Sequence, residues 1–85
     1  MIRRDVVVGH PEGVHALVAH NLAELAGRYS SSIFLRSADR SASVAHVVNV
    51  LALGLEQGDQ VLVWADGLDE QEALEAVIHA LSEPR

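Results

Sequence analysis

Gly13-Val14-His15-Ala16-Leu17-Val18-Ala19 is the stretch in which the chain changes its periodicity. Before it, residues 2–8 form a run rich in β-branched side chains, closed by Gly9 and Pro11, which reads as a strand. After it, Val18, Leu22, Leu25 and Ala26 fall on one stripe of a 3.6-residue period, with Ala19 and Ala23 filling beside it. Gly27 is the expected stop. The stretch is therefore a loop-to-helix junction, with His15 in the first turn. Amides at a helix start have no intrahelical partner and lie at the positive end of the helix dipole. An imidazole beside them is suited to holding an anion for a short time.

Working outward, residues 32–37 predict a second strand around Ile33, Phe34 and Leu35. Ala38-Asp39 is a tight connection into a third, short strand over residues 40–43. Residues 44–53 are apolar on almost every side, broken by His46 and Asn49, and predict a second helix with Gly54 as its C-cap. Ser43 is placed to cap that helix. Glu56-Gln57-Gly58-Asp59 is a turn, and residues 60–65 a fourth strand. In the last helix Asp69 and Glu72 form a capping-box-like pair, Leu74, Val77, Ile78 and Leu81 make the apolar stripe, and Pro84 ends it. The order β-α-β-β-α-β-α implies one α+β domain over residues 1–85, two-layered, with helices on one face of a mostly antiparallel sheet.

The composition narrows the function. Eighty-five residues support a single core. There is no cysteine, so thiolate chemistry and disulfides are excluded, and a metal site would rest on histidines and carboxylates alone. His10, His15 and His20 recur every five residues, a spacing that does not align two side chains on one helix face, so no metal is expected. The net charge is −6, all six basic residues are arginine, and the chain has one Trp, one Tyr and one Phe, a poor surface for nucleic acid. No apolar run approaches the roughly 20 residues of a membrane span. The N-terminus lacks the apolar region and cleavage site of a signal peptide, so a cytoplasmic location is expected. The chain is expected to be a monomer.

With these elements in place the chain resembles the HPr-type phosphocarrier family of the phosphoenolpyruvate-dependent sugar phosphotransferase system. The resemblance rests on Gly13-Val14-His15-Ala16, the apolar second helix, residues 53–58 and Asp69-Glu70-Gln71. It implies an open-faced two-layer sandwich, with three helices on one face of a four-stranded antiparallel sheet. It also implies that His15 takes a phosphoryl group from enzyme I and passes it to IIA-type proteins, with no cofactor. The phosphoryl oxygens would then be held by the backbone of Ala16, Leu17 and Val18.

The chain departs from the family pattern at the same place. Leu17 stands where the family has an arginine able to pair with phosphate, and Val18 where it has a proline suited to a first helical turn. Lysines that the family presents to enzyme I are absent, Glu24, Gly27 and Asn49 occupying that neighbourhood, with Arg28 as the remaining cation. His46 replaces a serine that is a regulatory phosphorylation site in many relatives. Leu17, Val47 and Val48 are expected to form an apolar docking patch. A second reading makes the chain a non-transferring adaptor or regulatory module that binds through those residues. A third makes it a domain of a larger phosphotransfer polypeptide.

Overall fold

The computed structural model describes residues 1–83. The chain runs β1 (Ile2–Val7), α1 (Ala16–Ala26), β2 (Ser32–Ser37), β3 (Arg40–Ser43), α2 (Val47–Ala52), β4 (Gln60–Asp66) and α3 (Glu70–Ser82). The strands form one antiparallel sheet in the order β1-β4-β2-β3. Side chains alternate across it: Val61, Val63 and Ala65 are buried, while Leu62 and Trp64 between them point to the other face. Register brings Val6 opposite Val61 and Leu35 opposite Val63. Leu22 of α1, Val50 of α2 and Leu74, Val77 and Leu81 of α3 join this row in one buried cluster. On the open face Phe34 and Trp64 are cross-strand partners, stacked with ring centroids 5.2 Å apart and planes 21° apart.

Two expectations change. The second helix is shorter than residues 44–53. Val44 is fully buried in the turn after β3, and its N–H donates to Ile33 C=O at 2.9 Å, which ties it to β2 rather than to the helix. The Ser43 hydroxyl accepts from Ala45 N–H at 3.3 Å, and Ser43 C=O accepts from His46 N–H at 3.0 Å. Ser43 therefore closes a turn, and His46 is the N-cap of α2, with no side-chain capping bond. Gly54, at φ +63°, ends the helix as expected.

The second change concerns α3. Asp69 is its N-cap residue, yet its carboxylate makes no capping bond to the helix. It accepts instead from Ser30 N–H at 2.9 Å, Ser31 N–H at 3.0 Å and the Ser31 hydroxyl, latching the α1–β2 loop to the start of α3. The Ser31 hydroxyl, followed by Ser30 N–H, holds the Asp69 carboxyl below its usual range. Glu72 is exposed, and Gly67 N–H reaches Glu70 Oε1 at 3.5 Å. The capping box is replaced by a tertiary latch. The expected stop at Pro84 lies outside the described residues.

Candidate functional site

The loop between β1 and α1 is clamped from two sides. Val8 exchanges backbone hydrogen bonds with the turn at residues 56–59, its N–H donating to Asp59 C=O and its C=O accepting from Gly58 N–H, both at 2.9 Å. Gly9 N–H donates to Leu81 C=O at 2.9 Å. His10 is buried, its Nε2 lying 2.8 Å from Ala80 C=O, which pins the loop to the end of α3. Gly13 N–H then bonds His10 C=O, and Val14 N–H bonds Leu55 C=O, both at 2.9 Å. Gly13 adopts φ +71°, and a Cβ there would lie 2.3 Å from Leu55 C=O. Only glycine satisfies both the backbone conformation and the close approach.

His15 follows as the N-cap residue of α1, with extended backbone (φ −86°, ψ −176°) and no capping bond from its side chain. The first helical bond runs from Ala19 N–H to His15 C=O at 2.9 Å. The amides of Ala16, Leu17 and Val18 thus precede the first helical bond, beside the imidazole. The four sequence-singled residues are brought together, with His15 half-buried, Ala16 and Leu17 exposed and Val18 buried. An open cleft of about 500 Å³ lies over them, lined by His10, Pro11, Glu12, His15, Leu17, Val18 and Asn21. None of these lining residues is an arginine, and Leu17 has 62% of its surface exposed.

Sequence reasoning passed over Glu12. Its Oε2 lies 3.8 Å from His15 Nε2, within ion-pair range. The signal was the three-residue spacing, hidden because Glu12 and His15 stand in a loop rather than on one helix. Two further histidine–carboxylate pairs among the described residues, His20–Glu24 at 3.1 Å and His79–Glu83 at 2.8 Å, have the ordinary i,i+4 spacing of the helix surface.

The expected docking residues stand on α1 and α2, which pack against each other. Val48 is 77% exposed. Val47 is half-buried and packs against the core, so it divides its surface between the interior and solvent. Among the described residues no group of three or more His, Asp or Glu side chains is arranged to hold a metal ion, and no helix is long and apolar enough to cross a membrane.

Known proteins share this arrangement. A family profile described as PTS-HPr, the phosphorylation site of the HPr component, matches residues 2–83. Phosphocarrier protein HPr of Mycoplasma pneumoniae is 35% identical over 78 residues, 91% of this chain and 89% of that protein. Phosphocarrier protein HPr of Lysinibacillus sphaericus is 34% identical over 83 residues, 98% of this chain and 94% of that protein. The crystal structure of HPr-C-His from Thermoanaerobacter tengcongensis superposes with a TM-score of 0.89 at 26% identity, covering 95% of this chain and 91% of that one. Sequence and backbone agree from β1 to α3, and on both counts the chain belongs to the HPr family of phosphocarrier proteins of the phosphotransferase system.

Proposed function

We propose that this chain carries a phosphoryl group on His15, taking it from enzyme I and passing it to IIA-type proteins, as a monomer in the cytoplasm. The observation that carries this reading is His15 at the helix start, beside the amides of Ala16, Leu17 and Val18 that precede the first helical bond. Neutral imidazole supplies a lone pair to phosphorus while the bond from phosphorus to the donor breaks, its electron pair returning to the donor. The phosphoryl oxygens then accept from those amides. Phosphoryl transfer asks mainly for positioning and charge stabilisation, which a helix start supplies without further machinery. With Leu17 in place of an arginine, the backbone carries the binding that a guanidinium would share.

Leu17 and Val48, with the solvent-facing part of Val47, supply the apolar contact for partners. The same exposed Leu17 favours a second reading, a regulatory module that binds a partner without transferring phosphate. Incubation with cognate enzyme I and phosphoenolpyruvate separates the two. Carriage adds about 80 Da of acid-labile mass, lost in His15→Ala. No adduct, under conditions that label an ordinary family member, overturns it. A module that only binds keeps its partner in His15→Ala and loses it in Leu17→Glu or Val48→Glu.

A further inference from the structure

We infer that His10 is a positioning residue for the reaction at His15: its ring N–H, given to the Ala80 carbonyl, sets the loop so that the amides of Ala16, Leu17 and Val18 stand where a phosphoryl group on His15 needs them. The inference rests on the carrier reading above.

In the loop from Val8 to His15 the apex residues Pro11 and Glu12 are exposed, whereas His10 is 9% exposed and bonded to another element. A carbonyl oxygen only accepts, so the His10 proton is on Nε2 and is donated across 2.8 Å to Ala80 C=O. Gly9 N–H, one residue earlier, donates to Leu81 C=O at 2.9 Å. Two successive donors of the loop thus meet two successive carbonyls in the last turn of α3, where carbonyls lack partners within the helix. The approach is close: a Cβ at Gly9 would collide with Ser82 C=O. The other end of His10 faces the site. Its own carbonyl accepts from Gly13 N–H at 2.9 Å, and Val14 N–H on Leu55 C=O then leads to His15, the N-cap of α1. One residue therefore joins the end of α3, through its ring, to the turn before His15, through its backbone.

The ring is also a wall. It borders both the cleft over His15 and a second cavity between α1 and α3, lined in part by Leu22, Leu25 and Ala80. Val18, whose amide is one of the three, borders both as well. Without the ring the two spaces join, and water reaches the amides from behind, competing with the phosphoryl oxygens for them. Position matters more here than where a guanidinium shares the load. No arginine lines the cleft over His15, so the anion relies on backbone groups whose place the loop sets. A hydrogen bond of ordinary net strength corresponds to roughly a three- to tenfold change in the population of the competent arrangement.

Two variants separate the donor from the bulk, both in the full chain. His10→Gln places an amide N–H at the reach of Nε2, and His10→Leu fills the space without a donor. Both keep the backbone bonds at Gly9 and Gly13. Long-range proton–nitrogen spectra of the wild type are expected to show the His10 proton on Nε2, and a proton on Nδ1 alone overturns the inference. Without any phosphoryl donor, the amide resonances of residues 16–18 are expected to move in His10→Leu and to return in His10→Gln, while those of the β2–β3 hairpin stay in place. In uptake from phosphorylated cognate enzyme I, His10→Leu is expected to lower kcat roughly three- to tenfold with KM changed less than about twofold, because Leu17 and Val48 still face the partner. His10→Gln is expected to recover most of that rate. Unmoved amides with an unchanged rate in His10→Leu overturn the positioning role, and so does an equal loss in the two variants, which would reduce the ring to packing. Amides that respond as expected, in a chain whose wild type takes up no phosphate, support the contact and overturn carriage, so the two failures are distinguishable.

Discussion

Gly13→Ala and Gly54→Ala together separate two reasons for a glycine. Both positions lie in the left-handed region, Gly13 at φ +71° and Gly54 at φ +63°. A Cβ at Gly54 meets nothing within 4 Å, whereas at Gly13 it would fall 2.3 Å from Leu55 C=O and 2.8 Å from Glu56 Cα. Gly54→Ala therefore bears the left-handed penalty alone, about 1–2 kcal/mol. Gly13→Ala bears the same penalty and must also move backbone. Overpacking of this kind costs about 1–3 kcal/mol, and the displaced Leu55 carbonyl is the acceptor of Val14 N–H, a bond worth about 0.5–1.5 kcal/mol. The expected loss at Gly13 is about 3–6 kcal/mol, a large part of the stability of a domain this size. Urea unfolding followed by far-ultraviolet circular dichroism gives both values on one scale, with the slope checked for constancy. In thermal unfolding each kcal/mol corresponds to about 4–8 °C. Losses at the two positions that agree within about 1 kcal/mol would refute the close-approach argument, and with it the claim that Leu55 fixes the loop before His15.

Other outcomes follow from the same contacts. Asp69 ionises more readily folded than unfolded because of Ser31 and Ser30. On acidification the unfolded chain takes up its proton first, so the latch contributes stability above the ordinary aspartate range and loses it as pH falls through the lower folded value. Urea midpoints measured against pH are expected to show this acid slope reduced in Asp69→Asn. Leu17→Arg restores a cation at the exposed second position of α1, and charge-assisted phosphate bonds are worth about 1.5–3 kcal/mol. The decay of the acid-labile adduct is expected to slow by roughly tenfold, the lower end of that range, because Glu12 competes for the guanidinium. A double-mutant cycle on Phe34→Ala and Trp64→Ala is expected to give a coupling of about 0.5–1.5 kcal/mol, read from urea midpoints.

What the sequence made legible was whatever local periodicity controls. The strand over residues 60–65 and the stripe Val18, Leu22 and Leu25 appear as read, because a short apolar run bounded by turn residues and a 3.6-residue stripe are both local patterns. Gly54 was legible because its conformation is local. The start of α2 was not: Val44 is as apolar as the helix that follows, and its bond to Ile33, brought alongside by the tertiary fold, ties it to β2 in the turn before the helix. Asp69 shows the same limit more sharply. A capping rule looks three residues ahead, while the real partners, Ser30 and Ser31, lie far back along the chain. At the site, the position of His15 was legible, and the approach of Glu12 waited on a loop shaped by Gly13 and Leu55. His10 was grouped with the other histidines by spacing, but burial and Ala80 make it a strut.

The strand order β1-β4-β2-β3 also sets a sequence of events during synthesis. The β2–β3 hairpin pairs residues close in the chain, and its loop closure is inexpensive. β1 leaves the ribosome first but finds its partner last, because Ile2 pairs with Ala65 and Val7 with Gln60. Until β4 emerges, the segment that carries His15 hangs from an unpaired strand, and the clamps at Asp59 and Leu81 do not yet exist. A nascent chain stalled before residue 60 therefore has His15 and the residues of α1 but neither the strand that pairs with β1 nor the helix end that clamps the loop before them. The loop before His15 reaches its clamped form only once β4 and α3 have both emerged.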